Sequence, residues 1–163
     1  MIDTENPESS TQIELQYVKL RQSAKAPIKA HPGDVGYDIS FCPDEYTSSI
    51  DAFKRLRIEP GWSVLLETGL KIKVPHGYCL EIKNRSGITS KRMLVVGACI
   101  VDPDYTGEIF VNLINIGKET QFIESGERCA QFVVYKVESP TMKEVSSVEN
   151  TRRGLGFGSS GTK

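Results

Sequence analysis

Residues 57–84 read RIEPGWSVLLETGLKIKVPHGYCLEIKN. Apolar and polar residues alternate here in runs too short for a helix, and Pro60-Gly61, Thr68-Gly69 and Pro75-His76-Gly77 cut the runs apart. Alternation with period two is the mark of strands, and turn residues between such runs predict hairpins or a meander. The same pattern extends in both directions. TQIELQYVKL (11–20) alternates and predicts a strand, ISFC (39–42) a short one, and ERCAQFVVYKV (127–137) the last long one. LVVGACIV (94–101) is an unbroken apolar run and predicts one buried strand. GEIFVNLINIG (107–117) is apolar on both faces, Ile109, Val111 and Leu113 on one and Phe110, Ile114 and Ile116 on the other. Only Asn112 and Asn115 interrupt it, so it is expected to be buried on both sides or to form a subunit contact. SAKAPIKAHPGDVGYD (23–38) is a loop, and PDEYTSSIDAFKRLR (43–57) a surface excursion with room for one helical turn. No helical periodicity runs beyond about two turns. Many short strands at regular spacing predict an all-β barrel or sandwich.

The chain has 163 residues, a net charge of −1 and 39% hydrophobic content. One domain of this length buries roughly 68–70% of its unfolded surface and needs no staples. The near-zero charge argues against bulk electrostatic binding to nucleic acid or membrane. No apolar run reaches bilayer length, and the polar MIDTENPESS start is not a signal peptide, so a cytoplasmic protein is expected, with nuclear access left open. Cys42, Cys79, Cys99 and Cys129 form no CxxC pair and there are two histidines, so zinc is not expected; the cysteines read as buried thiols in a reducing compartment. Residues 1–10 are polar and expected to be disordered.

Five segments break the strand pattern with polar residues or glycine. In Gly33–Asp38 an aspartate either caps a turn or orients an arginine near a site. In Asn84–Ile88, Arg85, Ser86 and Gly87 follow a strand; a guanidinium beside a hydroxyl and free N–H groups binds anions, although Ser-Gly turns are common. In Gly97–Glu108 an apolar run containing Cys99 and Val101 ends abruptly at Asp102, with Tyr105 beyond. A carboxylate there can hold a water and take its proton, or simply open an Asp-Pro turn. In Gly126–Gln131, Gln131 falls within an apolar strand, where it needs partners or an edge facing water. The tail 151–163, TRRGLGFGSSGTK, carries Arg152, Arg153 and Lys163 without an acid. Ordering so much glycine costs entropy that folding alone does not return. Cations around Phe157 suit a polyphosphate carrying an aromatic base, whose stacking would contribute about 1–3 kcal/mol; a frayed end is the commoner fate of a terminus.

In this order the five segments resemble the motifs of the trimeric deoxyuridine 5′-triphosphate nucleotidohydrolases (dUTPases). Gly36-Tyr37-Asp38 is similar to the first motif and Arg85-Ser86-Gly87 to the second. Val101-Asp102, Asp104-Tyr105 and Gly107-Glu108 are similar to the third, and Gly126-Glu127-Arg128 with Ala130-Gln131 to the fourth. Arg152 and Arg153 with Gly156–Gly161 are similar to the fifth. The resemblance runs from about Val18 to Gly161.

It implies a jelly-roll-like β-barrel over residues 11–150, a homotrimer with active sites between subunits, and a flexible Gly-rich arm (151–163) closing a site. The implied reaction is dUTP plus water giving dUMP and pyrophosphate, which keeps uracil out of DNA and supplies dUMP for thymidylate synthesis. By position, Asp102 would be the general base and Tyr105 would pack on the deoxyribose and exclude a 2′-hydroxyl. The backbone from Val96 to Val101, Cys99 included, would read uracil. Arg85, Ser86, Gly87 and Gln131 would meet the phosphates; an arm arginine with Gly158, Ser159 and Ser160 would clamp the terminal phosphate, and Phe157 would cover the base. Mg²⁺ would bind through the phosphates and waters, with Asp38 acting at one remove and no direct protein ligand.

The arm departs from the usual RGxGGFGSTG. Ungapped alignment on Phe157 makes Arg152 the clamp, while keeping the Arg-Gly pair makes it Arg153; the ring-to-phosphate distance favours Arg152. Ser160 replaces Thr, Cys99 stands where Gly is usual, and the stretch 43–57 is longer than in compact members and is expected to be exposed. A dCTP deaminase shares the Arg-Ser motif but fits the Asp-Pro-Asp-Tyr-Thr-Gly-Glu stretch and the tail less well. A regulatory protein keeping the pocket and acting through a partner would use the 43–57 insertion.

Overall fold

A computed structural model describes residues 13–47 and 49–148. The strands are β1 (Gln16–Lys19), β2 (Tyr37–Ser40), β3 (Arg55–Ile58), β4 (Ser63–Glu67), β5 (Leu70–Lys73), β6 (Tyr78–Lys83), β7 (Leu94–Val96), β8 (Ile100–Val101), β9 (Phe110–Asn115), β10 (Gln121–Glu124) and β11 (Arg128–Lys136). One short helix, α1 (Ser86–Arg92), joins β6 to β7. The chain is nearly all β, as its periodicity predicts.

The punctuation of residues 57–84 marks the strand ends well, but the pairing it suggested is wrong. Among the described residues no strand pairs with its neighbour in sequence: the order is β1–β5, β10–β3, β2–β11–β6–β8 and β4–β9–β7. Each turn therefore carries the chain from one sheet to another instead of closing a hairpin. The reason is burial. β3 to β6 each have one apolar face, and exchanging sheets at every turn lets these faces cover one another. Leu56, Ile58, Leu66, Leu70, Leu80 and Ile82 all point into a shared core with Phe41, Leu113, Ile123 and Phe132. Each such side chain contributes about 1.5–3 kcal/mol when fully buried.

Three further expectations need correction. The 94–101 run is not one strand. It splits at Gly97 into β7, paired with β9, and β8, paired with β6, so the run bridges two sheets. The first strand covers only residues 16–19 of the run expected to be a strand. The 43–57 excursion is exposed only in its middle and forms turns, not a helical turn, among its described residues; its end, Arg55–Arg57, enters β3 and buries Leu56 in the core. Asp51 Oδ1 accepts the N–H groups of Phe53 and Arg55 and its Oδ2 pairs with the Arg55 guanidinium, leaving Tyr46 and Phe53 exposed.

β9 buries only one face within the chain. Val111 and Leu113 are inaccessible, with Ile109 just ahead of them, whereas Phe110 and Ile116 are exposed and Ile114 half-buried. On the same sheet face or at its ends stand Trp62, Leu65 and Met93, also exposed. Of the four free thiols, Cys42 and Cys129 are buried, but Cys79 and Cys99 are only half-buried. Desolvation pushes the Cys129 thiol up to about 12.

Candidate active site

The register between β2 and β11 builds the first part of the site. Gln131 lies opposite Asp38 on one side and Lys83 on the other, so β11 is a central strand and Gln131 is no edge residue. Between Arg128 and Ala130 the register shifts by one residue. This bulge buries both Cys129 and Ala130 and turns Arg128 onto the face that carries Asp38 and Gln131. Asp38 is 6% exposed, and both its oxygens accept charge-assisted hydrogen bonds: Oδ1 from Arg85 Nε at 2.7 Å, Oδ2 from Arg128 Nη1 at 3.0 Å. Arg85 Nη1 also donates to the Arg128 carbonyl at 3.1 Å. Gln131 Nε2 donates to the Asn84 carbonyl at 2.8 Å, and its side chain lies so close over Gly36 that a Cβ there would sit 2.2 Å from Oε1.

The two readings of the 33–38 stretch are thus divided between its two aspartates. Asp34 caps a turn, accepting from His31 N–H at 2.8 Å, and Asp38 orients arginines. The residues after β6 form the start of α1 and not a bare loop. Arg85 is its N-cap residue and no side chain caps it, so the Ser86 and Gly87 N–H groups at the first turn are left for an incoming acceptor. Asp38, Arg85, Ser86 and Gln131 together line an open cavity of about 360 Å³. Its lining holds the Arg85 guanidinium, the Gln131 amide and the Ser86 hydroxyl, with Asp38 already engaged by arginines and Asp34 by the His31 N–H, so its free donors suit an anion.

The second part lies beyond Gly97. Cys99, Val101, Asp102, Tyr105, Phe110 and Asn112 line a separate pocket of about 190 Å³ whose floor is Ile82 and Ile109. Val101 is buried against Leu80, while Asp102 is exposed one residue later, so the carboxylate stands where the buried strand meets the turn. Tyr105 N–H donates to the Asp102 carbonyl at 3.2 Å, closing that turn. The Tyr105 hydroxyl donates to the Glu108 carbonyl at 2.6 Å. Glu108 is itself clamped: its carboxylate pairs with Arg21 and accepts Gly69 N–H at 2.6 Å. Burial opposes the Arg21 charge, but its interactions with the side chains of Glu108 and Cys42 outweigh this and hold its pKa above the ordinary value.

These two sets share no lining residue. The chain brings Asp38, Arg85, Ser86 and Gln131 together, and separately Cys99, Val101, Asp102 and Tyr105. Arg152, Arg153, Phe157, Gly158, Ser159 and Ser160 lie outside the described residues, as do residues 1–10. Sequence reasoning gave no role to Asn84, whose Oδ1 accepts Val96 N–H at 2.6 Å, to Arg128, which holds Asp38, or to Asn112, which lines the second pocket.

Among known proteins, the dUTPase family model matches residues 22–161, a span that includes both half-sites and most of the tail. The chain belongs to the dUTPase family. It is 34% identical over 148 residues to the deoxyuridine 5′-triphosphate nucleotidohydrolase of Mus musculus, covering 90% of this chain and 85% of that one. The enzyme of the same name from Hydrogenobaculum is 38% identical over 148 residues, covering 89% and 96%. Among solved structures, the Staphylococcus bacteriophage 80alpha dUTPase with dUPNHPP is similar with a TM-score of 0.76 at 29% identity, over 92% of this chain and 99% of that one. A variant of the phage phi11 dUTPase, in which a structural Mg(II) ion is coordinated, shares the fold with a TM-score of 0.71 at 24% identity, over 83% and 98%.

Proposed function

We propose that this protein hydrolyses dUTP to dUMP and pyrophosphate, as a homotrimer of jelly-roll-like subunits. The observation that carries the reading is a division of labour within a family member: one cavity holds anion-binding groups without a base pocket, and one pocket holds a carboxylate without cations. A substrate with a base at one end and a triphosphate at the other needs both. Subunits that lend each other the missing half satisfy this, and the exposed apolar face around Trp62, Leu65, Phe110 and Ile116 supports such assembly.

In the mechanism, the base enters the pocket beside Val101 and pairs with the backbone of residues 96–101. Cytosine is rejected because its donor and acceptor order leaves buried groups unpaired. Tyr105, fixed by its bond to Glu108, packs on the deoxyribose and fills the space of a 2′-hydroxyl. Arg85, held through Nε by Asp38 and through Nη1 by the Arg128 carbonyl, keeps Nη2 for phosphate oxygens, with Ser86, Gly87 and Gln131 beside it. Asp102 takes a proton from the attacking water as the water oxygen bonds to the α-phosphorus. The bond from that phosphorus to the bridging oxygen breaks and pyrophosphate leaves. The arm, residues 151–163, closes over the substrate, with Arg152 as the preferred clamp, Arg153 the alternative, Ser159 and Ser160 on the terminal phosphate and Phe157 on the base.

A protein-held metal does not fit the described residues. They contain no group of three His, Cys, Asp or Glu side chains able to hold one, and both Asp38 oxygens are engaged by arginines. The donor set fits a Mg²⁺ that arrives on the triphosphate. There it would neutralise charge on the phosphates during displacement. The chain's own contribution is the guanidiniums that orient those phosphates.

The test is pyrophosphate release with Mg²⁺ from dUTP, dCTP, dTTP and UTP in parallel. Release from dUTP alone is expected. Release from dCTP in preference, or from none with dUTP still bound, would overturn the proposal.

A further inference from the structure

Of the two asparagines that interrupt β9, one has a purely internal use. Asn115 is inaccessible; its Nδ2 donates to the carbonyls of Ile58 and Glu119 at 2.9 and 2.8 Å and its Oδ1 accepts Gly117 N–H at 2.9 Å. It closes the turn between β9 and β10. Asn112 is different. It is half-buried, lies on the opposite face of β9, and lines the pocket that holds Asp102 and Tyr105.

The Asn112 amide is fully engaged, and its bonds converge on the segment that leads into that pocket. Its Oδ1 accepts Ala98 N–H at 3.2 Å, and its main-chain carbonyl accepts Gly97 N–H at 3.0 Å. Its Nδ2 donates to Ser63 Oγ at 2.7 Å and to the Val64 carbonyl at 3.1 Å, anchoring the amide to β4. The approach is so close that a Cβ on residue 97 would lie 2.0 Å from Oδ1, which explains a glycine there. Ahead of it, Val96 N–H is taken by Asn84 Oδ1. Three successive backbone donors, at Val96, Gly97 and Ala98, are thus consumed from behind the pocket. The first donor of the segment that no described residue takes is Cys99 N–H.

We infer that Asn112 is a positioning residue for base selection: it fixes which backbone groups between Gly97 and Cys99 face the base and which do not. This rests on the reading of the pocket as the base site. A pocket that discriminates by hydrogen bonding must present a defined donor and acceptor order, and every spare donor nearby blurs that order. With the Asn112 amide removed, Ala98 N–H loses its acceptor and becomes a second donor beside that of Cys99. The 97–99 backbone also loses its tether to β4. Ground-state binding of the correct base weakens and the wrong base gains a partner, whereas the Asp102 carboxylate, on the far side of β8, keeps its place.

The experiment compares the full-length wild type with Asn112→Ala, Asn112→Asp and Asn115→Ala, reading kcat and KM for dUTP and dCTP and the thermal midpoint. For Asn112→Ala we expect KM for dUTP to rise about tenfold with kcat within about threefold of wild type, and the dUTP-to-dCTP preference to fall about tenfold, the size of one lost hydrogen-bond discrimination. Asn112→Asp retains an acceptor for Ala98 N–H and allows the Ser63 hydroxyl to donate, but sets a carboxylate oxygen against the Val64 carbonyl, so its thermal midpoint falls while its preference stays near wild type; a lost preference in this variant would also count against the inference, which keeps the test open if the alanine variant does not fold. Asn115→Ala lowers the thermal midpoint without moving the preference. An unchanged preference in Asn112→Ala, or an equal loss of preference in Asn115→Ala, overturns the inference. A wild type that releases no pyrophosphate from dUTP would instead overturn the reading of the pocket itself.

Discussion

Asp38 is the residue on which the phosphate cavity turns, and Asp38→Asn is the most informative single change. The carboxylate is almost inaccessible and both of its oxygens are used, by Arg85 at 2.7 Å and Arg128 at 3.0 Å. An amide of the same shape has one acceptor. Whichever arginine keeps it, the other meets an N–H₂ group, donor against donor. A hydrogen bond to a charged group contributes about 1.5–3 kcal/mol. The Arg128 side chain is 45% exposed, so water replaces much of what it loses; that of Arg85 is 26% exposed and loses more. The net cost is therefore about 2 kcal/mol, within the 5–15 kcal/mol of a typical domain, so the variant folds. At about 2–4 °C per kcal/mol for a chain of this length, the melting midpoint falls by roughly 4–8 °C. The functional effect exceeds the structural one, because Arg85 loses the anchor at Nε that aims its outer nitrogens. KM for dUTP should rise about tenfold or more in a pyrophosphate-release assay, by the usual worth of a positioned charged contact. Arg85→Lys should match it, since an ammonium cannot bond Asp38 and phosphate together in a fixed fork. If Asp38→Asn melts as described but binds and turns over dUTP normally, the carboxylate is only a structural tie and the orienting role is refuted.

Asp102→Asn should preserve the fold and dUTP binding while lowering kcat by about 10²–10⁴-fold, the usual contribution of a general base; near-normal turnover would remove it from that role. Cys129, raised to about 12 by burial, stays a thiol in the folded chain at a pH where an unfolded thiol has lost its proton. The unfolded state then binds fewer protons, so stability is lost as pH rises from about 9 towards 12, by up to about 1.4 kcal/mol per pH unit from this group. Denaturant midpoints at pH 8 and 10.5 should converge less in wild type than in Cys129→Ala, and identical pH slopes would refute the assignment. Ile116→Glu, on the exposed apolar face, should yield a monomer without activity and shift the emission of Trp62, the single tryptophan, to the red; an active trimer would place the subunit contact elsewhere.

The legible parts of this sequence were those set by local chemistry. Strand positions followed from period-two alternation, and strand ends from Pro60-Gly61, Thr68-Gly69 and Pro75-His76-Gly77. Pairing was not legible, because a turn such as Thr68-Gly69 looks the same whether it closes a hairpin or hands the chain to another sheet. The unbroken run at 94–101 misled for a related reason: both of its halves are buried, so hydrophobicity does not mark the change of sheet at Gly97. Asp38 and Arg85 stood out in glycine- and serine-containing breaks of the strand pattern, and Gln131 as a polar residue in an apolar strand. That they meet is a product of register and of the bulge at Cys129, which no spacing rule encodes. The roles of Arg128 and Asn84, both within the motif segments, were hidden because they run through other side chains and backbone groups. Asn112 did leave a signal, a polar residue in an otherwise apolar strand, but nothing in the sequence separated it from Asn115.

The separation of the two half-sites constrains how this fold can work. Asp38 and Gln131 sit on one end of the β2–β11–β6 surface, and Asp102 stands past the β8 edge of the same sheet. The two share no lining residue, so under the proposed function Arg85 of one subunit would serve Asp102 of another. The exposed apolar residues Trp62, Phe110 and Ile116 are the surface such an association would cover. Under that proposal assembly is a condition of chemistry and not an addition to stability. Activity should therefore disappear on dilution with the same concentration dependence as the red shift of Trp62, and a monomer that remains active would mean that the two half-sites serve different ligands.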